Sequence, residues 1–351
     1  MSSSFPARFR EALGSGTTLV EAPGTRESRL EFARSVVAGL SDEPKWLHCR
    51  FLYDAEGSRL FEKITEQPEY YPTRLEAAIL AKHAAEIRTI TGPRTLVELG
   101  SGYSVKTEHL LNAYVDEEYP LLYVPVDVSD TALREASKSI AQHYADVQFT
   151  GINGTYRSAF PILRQLSPQM VIFLGSSIGN FNPAETTAFW RNIAGHLPAG
   201  DNFLLGIDLV KDIAVLEAAY NDAAGVTAAF TKNYFARMNR ELGSEIDIDR
   251  IEHVATWNPE LRRIEIFAHF GTDQEIYVEP LDERIEISAG ERILVEISRK
   301  YRVSEVAEEL GRFGFDTRRV YTDRKKWFAL LLLERSDDSV LRRSPFAPTT
   351  R

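Results

Sequence analysis

The run Leu96-Val97-Glu98-Leu99-Gly100-Ser101-Gly102-Tyr103-Ser104-Val105-Lys106-Thr107 constrains this chain more than any other stretch. A short apolar strand enters two glycines one residue apart and then a helix. A second apolar strand, Leu121 to Val126, ends at Asp127. Glycines let the backbone turn sharply and let a ligand lie close against it, and an acid at the tip of the next strand can hold ribose hydroxyls. The third glycine of the dinucleotide fingerprint is absent, because Ser104 and Val105 follow Gly102. Pyrophosphate needs that close approach and a nucleoside without phosphates does not. The pattern therefore favours S-adenosylmethionine (SAM) over NAD as cofactor, and methyl transfer over hydride transfer.

Strands and helices alternate after this motif. Strands are predicted at Thr95–Leu99, Leu121–Val126, Val147–Ile152, Val171–Leu174 and Asn202–Ile207, with helices between them at Ser129–Tyr144 and Pro183–Leu197. Such alternation makes a parallel sheet covered on both faces, with ligands at the carboxyl ends of its strands. Gly100, Asp127, Gly154 to Tyr156, Gly175 to Asn180 and Asp208 fall at such ends. Upstream, helices are predicted at Arg29–Leu40, Phe51–Glu66 and Thr73–Ile90. Downstream of Asp208, a helical stretch to Gly243 precedes strands at Arg263–Phe270, Glu275–Val278, Arg284–Ser288 and Ile293–Tyr301. A helix at Ser304–Phe313 and a closing hairpin, Phe315–Tyr321 with Trp327–Leu333, complete the chain.

The expected fold is α/β, a Rossmann-like class I SAM methyltransferase sheet with a second α+β substrate-binding domain. Residues 74–209 and 299–335 form the methyltransferase domain, and residues 29–73 and 210–298 the discontinuous substrate-binding domain. Residues 1–28, rich in Ser, Gly and Thr, are expected to be a flexible N-terminal arm, and residues 336–351 a C-terminal tail.

A length of 351 residues suits about two domains. The net charge of -10 argues against a nucleic-acid or anionic-membrane surface. Cys49 is the single cysteine, so no intrachain disulfide or cysteine metal cluster can form. It reads as an inert, partly buried thiol. Met1 to Val20 has no continuous apolar core of a signal peptide. The expectation is a cytoplasmic monomer that acts on a small molecule, without nucleic acid or membrane as partner. The seven histidines are scattered, with no metal-ligand spacing.

Several segments together resemble one family, the SAM-dependent histidine Nα-methyltransferases of ergothioneine biosynthesis. They are Tyr53-Asp54-Ala55-Glu56-Gly57-Ser58, Pro68-Glu69-Tyr70-Tyr71-Pro72-Thr73-Arg74, Glu98 to Gly102 and Gly175-Ser176-Ser177-Ile178-Gly179-Asn180-Phe181. To these are added Ala219 to Thr227 and Gly290-Glu291 through Glu296-Ile297-Ser298-Arg299-Lys300-Tyr301. The glycine motif alone is unspecific. The Tyr-Tyr-Pro-Thr-Arg, Tyr-Asn-Asp and Glu-x-Ser-x-Lys elements in this order are specific. The resemblance spans Arg29 to Leu333 and implies three methyl transfers to the α-amine of L-histidine, through its mono- and dimethyl forms, giving hercynine.

On this reading Gly100 and Gly102 cradle the methionine part of SAM, Lys106 pairs with its carboxylate, and Asp127 holds the ribose. Thr155 and Tyr156 stand at the adenine, where the family usually has Asp and Phe. The catalytic residues are Asn180, Tyr220 and Tyr70, which hold the substrate amine; they also bind substrate together with Tyr53, Ile266, Glu296 and Ser298. Glu296 and Ser298 alternate on one strand and so share a face. A carboxylate beside a hydroxyl suits the two unlike nitrogens of an imidazole, whereas an indole has only one N–H. Tyr71 reads as packing. Two other readings stay open at this point: an N-methyltransferase for another free amino acid such as tryptophan, and a non-catalytic SAM sensor.

Overall fold

The computed structural model describes residues 4–16, 18–22, 29–115 and 120–336. Its centre is a nine-stranded sheet. The strands are β1 (Leu19–Glu21), β2 (Thr95–Leu99), β3 (Leu121–Asp127), β4 (Val147–Phe149), β5 (Gly151–Asn153), β6 (Gln169–Phe173) and β7 (Asn202–Asp208). These pair in parallel in the order β1-β5-β3-β2-β6-β7, with β4 also on β3. A second antiparallel sheet holds β8 (Ile251–Asn258), β9 (Arg263–Phe270) and β12 (Arg292–Arg299), and a hairpin holds β10 (Gln274–Val278) and β11 (Glu283–Ile287). The main sheet is closed beside β7 by the antiparallel pair β13 (Phe315–Thr322) and β14 (Phe328–Arg335). A mostly parallel sheet with one closing hairpin is the class I methyltransferase arrangement expected from the chain.

Alternation along the central strands sorts their side chains. Val97, Val171, Phe203, Leu205 and Leu331 enter one buried cluster, and Leu96, Met170, Ile172, Leu204 and Leu330 enter another. A period of two places these sets on opposite faces. A third cluster belongs to the second sheet. There Phe32, Val36, Phe51 and Tyr71 pack with Leu216, Phe235, Ile266 and Val295. Residues before the main sheet and residues inserted after β7 thus share one core.

Three elements differ from the sequence reading. The stretch 147–152 is two strands, not one. Tyr123 accepts from Thr150 N on the β4–β5 side, so Pro125, of the same parity, faces that side without an N–H to donate. β8 was not foreseen, because only Ile251 and Ala255 of its residues are fully buried and the pattern does not alternate. The third difference is at the N-terminus. The described part of the expected flexible arm is ordered as a helix, Phe5–Ser15, and as β1, which adds an edge strand to β5. Phe5, Phe9 and Ala12, spaced by four and three, bury one helical face against the main core. The small polar residues around them masked this pattern. Residues 1–3, 17 and 23–28 of the arm, and 337–351 of the tail, lie outside the described residues.

Phe9 is fully buried. Replacing a buried Phe by Ala typically costs about 3–5 kcal/mol. Phe9→Ala is therefore expected to lower the unfolding free energy by about 3 kcal/mol in a denaturant titration. A loss below about 1 kcal/mol would show that the helix is not part of the folded core.

Candidate active site

β2 delivers Gly100 and Gly102 at its carboxyl end with φ of 69° and 50°, a left-handed geometry that glycine adopts without strain. Gly100 N donates to Val126 O, and Gly102 N to Asp127 Oδ2 at 2.8 Å. Ser129 N donates to Asp127 Oδ1 at 2.8 Å, while Ser129 itself caps the helix Asp130–His143. Asp127 therefore braces the glycine loop. A carboxylate has about four acceptor positions, so two remain for a ribose. Burial raises the pKa of Asp127 above the ordinary range, against the backbone N–H groups that lower it.

A cofactor fits this loop. A Cβ built on Gly102 would meet nothing within 4 Å, so the backbone lies open there. Tyr156 leans over the neighbouring position, where a Cβ on Gly100 would come within 2.8 Å of its hydroxyl. Its ring packs edge-on against Phe173, at 5.2 Å between centroids. Thr155 starts the short helix Tyr156–Ala159 and uses no side-chain cap. Lys106 has a protein partner that the sequence reading did not name. It pairs with the wholly buried Glu76, whose two oxygens both lie 2.9 Å from Gly175 N. Glu76 has room because residue 206 is glycine; a Cβ there would lie 2.1 Å from Glu76 Oε1. Sequence reasoning did not single out Glu76. Its signal is a charged residue one turn from the buried Ile79 and Leu80 in the helix Tyr71–Thr91.

The glycine loop and the second sheet meet at residues 175–180. Ser176, at φ of 56°, accepts from Asp208 N through its hydroxyl. Gly179 lets the loop lie directly on β12, where a Cβ would come within 3.0 Å of Arg299 O. This contact carries Asn180 to Glu296, and Asn180 Nδ2 donates to Glu296 Oε1 at 2.7 Å. One cavity is lined by Tyr53, Tyr70, Asn180, Tyr220, Glu296 and Ser298. Phe61, Ile64 and Phe230, which the sequence reading did not name, complete its apolar wall. Ile266 faces Glu296 across the β9–β12 ladder but lies in the core, not among the residues lining the cavity.

A β-bulge decides which way Glu296 points. Leu294 pairs with Phe267 and Glu296 with Ile266, which leaves Val295 as the extra residue. The even-numbered residues of β9 from Ile264 to Phe270 face the core. Without the bulge Glu296 would fall opposite Glu265, on the other face. With it, Glu296 and Ser298 sit opposite Ile266 and Ile264, on the buried face. Burial pushes the Glu296 carboxyl up to about 7, although Asn180 and Lys300 pull it down.

Behind the cavity lies a polar cluster that the sequence reading did not assemble. Lys300 and Asp208, both fully buried, pair at 2.8 Å. Lys300 Nζ also donates to Tyr220 OH and to Ser298 Oγ, each at 2.8 Å. Lys211 pairs with the other oxygen of Asp208. Tyr71 OH donates to Asp208 Oδ2 at 2.7 Å and accepts from Lys211, so Tyr71 does more than pack. Burial works to raise the Asp208 carboxyl, but the two lysines outweigh it and hold it below the ordinary range. Tyr220 is fixed from the other side by His253, whose Nε2 bonds Tyr220 O at 2.8 Å. Burial raises the half-buried Cys49 thiol well above its ordinary value, as suits an inert thiol. Among the described residues no group of His, Cys, Asp and Glu could hold a metal ion, and no helix is long and apolar enough to cross a membrane.

The raised Glu296 carboxyl means that the folded state holds its proton more tightly than the unfolded chain. Its contribution to stability therefore falls as pH rises from the unfolded value of 4.5 towards 7 and stays unfavourable above that. Glu296→Gln removes the charge and keeps an oxygen for Asn180 to donate to. At pH 8 the variant without ligand is expected to melt about 2–4 °C higher than the parent, and at pH 5 this gain should vanish. No gain at pH 8, or the same gain at both pH values, would remove the charge-burial account.

Comparison with known proteins fits this geometry. A family model described as histidine-specific methyltransferase, SAM-dependent, matches residues 32–335. The chain is 44% identical over 302 residues to a histidine N-alpha-methyltransferase of Mycolicibacterium smegmatis, covering 86% of this chain and 94% of that protein. It is 40% identical over 309 residues to the histidine N-alpha-methyltransferase of Mycobacterium tuberculosis, covering 88% and 96%. It is also 34% identical over 215 residues to ergothioneine biosynthesis protein 1 of Neurospora crassa, covering 59% of this chain and 24% of that longer protein. With the open glycine loop on one side of the 175–180 segment and the Glu296 cavity on the other, the chain belongs to the histidine-specific, SAM-dependent methyltransferase family.

Proposed function

We propose that this protein transfers methyl groups from SAM to the α-amino group of free L-histidine, three in succession, to give hercynine for ergothioneine biosynthesis. The observation that carries the substrate is the placing of Glu296 beside Ser298 on one buried strand face, inside a cavity whose apolar wall is mostly aromatic. Glu296 accepts from the ring N–H and Ser298 meets the other nitrogen. Leaving either partner unpaired in such a cavity costs about 1–3 kcal/mol, which disfavours apolar and indole side chains. The relatives' names support the same substrate, and one of them supports the pathway.

When bound, SAM supplies a methyl group on a sulfonium, already a good leaving group. The protein has to align the amine lone pair with the methyl–sulfur axis and keep the amine neutral. Asn180, Tyr70 and Tyr220 do this. The Asn180 carboxamide gives one N–H to Glu296 and keeps its carbonyl oxygen for the amine. Tyr70 and Tyr220 pack edge-on, 6.0 Å between centroids, and both line the cavity. The amine proton leaves to water. Gly100, Gly102, Asp127, Thr155 and Tyr156 would hold the cofactor. Lys106 would meet its carboxylate with a charge already shared with Glu76. Aromatic walls without a second carboxylate tolerate the quaternary ammonium of the product. We place the enzyme in the cytoplasm, as a monomer; the net charge of -10 supports a small-molecule substrate over nucleic acid.

Incubation with SAM and a panel of free amino acids, followed by mass spectrometry, tests the reading. Histidine is expected to gain three methyl groups while the other amino acids stay unmodified. Methylation of tryptophan instead would overturn the role of Glu296 and Ser298. SAM binding without any product would favour a sensor.

A further inference from the structure

The buried cluster behind the cavity carries a consequence for how the site reads its substrate, and this inference rests on the histidine reading above. We propose that Lys300 is a positioning residue that fixes the hydrogen-bond polarity of Tyr220 and Ser298, so that this pair offers a donor, and not an acceptor, to the substrate ring.

A lysine ammonium has three N–H donors and no acceptor. All three are committed here: to Asp208 Oδ2, to Tyr220 OH and to Ser298 Oγ, each at 2.8 Å. Both hydroxyl oxygens must therefore accept from Lys300. They also lie 2.8 Å from each other, so one of their two hydroxyl hydrogens lies between them. One hydroxyl hydrogen is left. It cannot point at Lys300, which has nothing to accept it with, and it is not in the Tyr220–Ser298 bond. Both residues line the cavity, so the remaining hydrogen points there. Behind Lys300, Asp208 is held below the ordinary carboxylate range by Lys300 and Lys211, so a carboxylate faces the lysine.

Beside Ser298 on the same strand face, Glu296 offers the opposite polarity. As a carboxylate it can only accept, and Asn180 occupies Oε1. The wall therefore presents one acceptor and one fixed donor on a single strand face. That set matches an imidazole with one N–H and one bare nitrogen. A hydroxyl pair without Lys300 could turn either way and would present whichever polarity the ring demanded. Lys300 removes that freedom, and with it the tolerance for a ring that lacks the bare nitrogen.

The test uses two histidine analogues of nearly the same shape. In a pyrrolylalanine a C–H replaces the bare nitrogen; in a thiazolylalanine sulfur replaces the N–H. The unmodified enzyme is expected to prefer histidine over the pyrrolylalanine by about tenfold or more in kcat/KM, because the fixed donor is left unpaired. Lys300→Met keeps Asp208 paired with Lys211 and should shrink that preference to about threefold or less. The preference over the thiazolylalanine, which depends on Glu296, and the KM for SAM should hold within about twofold. A purely structural role would move all three together, and that outcome overturns the proposal. So does a Lys300→Met enzyme that keeps the full preference over the pyrrolylalanine. Should Lys300→Met fail to fold, Lys300→Gln replaces it with a side chain whose oxygen can accept from either hydroxyl, and the same shrinkage is expected. A preference below about threefold in the unmodified enzyme overturns the proposal without any variant. If the unmodified enzyme methylates tryptophan in place of histidine, it is the histidine reading that fails.

Discussion

The buried ion pair between Asp208 and Lys300 holds the molecule's two parts in working relation. Asp208 ends β7, a central strand of the main sheet, and Lys300 follows β12, an edge strand of the second sheet. The backbone joins at the same place, where Tyr301 N donates to Asp208 O and Leu209 bridges Tyr301. Two charges taken out of water are costly unless each finds partners, and removal of one partner of a buried pair typically costs about 3–5 kcal/mol. Here Asp208 has Lys300, Lys211 and Tyr71, and Lys300 has Asp208, Tyr220 and Ser298. The pair is satisfied on all sides. The same bonds that offset its desolvation orient two hydroxyls of the substrate cavity, so structural support and substrate reading use one set of atoms.

The cavity wall works against stability. Glu296 lies on the buried face of β12 only because the bulge at Val295 turns it there. A carboxyl pushed up to about 7 is an unfavourable place to leave a charge. The fold tolerates it because Asn180 donates to it and the nearby charge of Lys300 pulls its carboxyl down. Buried polar groups of this kind, paired on one side and open on the other, are what a site needs to recognise a polar ring. The aromatic wall gives no such discrimination by itself.

Much of this was legible in the chain. The strands Thr95–Leu99 and Arg263–Phe270 and the helix Arg29–Leu40 begin and end where their patterns do. The alternation of Glu296 and Ser298 placed these two on one face. What the alternation could not tell was which face, because a bulge is set by the register of the partner strand. Glu76 was not singled out, and Asp208 was read only as a strand end. Each acquires its meaning from residues far along the chain: Lys106 and Gly175 for the first, Lys211 and Lys300 for the second. The helix Phe5–Ser15 was hidden because it is short and flanked on both sides by Ser, Gly and Thr.

The most direct test is a crystal structure with S-adenosylhomocysteine and L-histidine bound together. The account predicts the imidazole between Glu296 and Ser298, one nitrogen within hydrogen-bond distance of each, and the α-amine beside Asn180, facing the sulfur. An imidazole that contacts neither Glu296 nor Ser298, or an amine turned away from the sulfur, would contradict it.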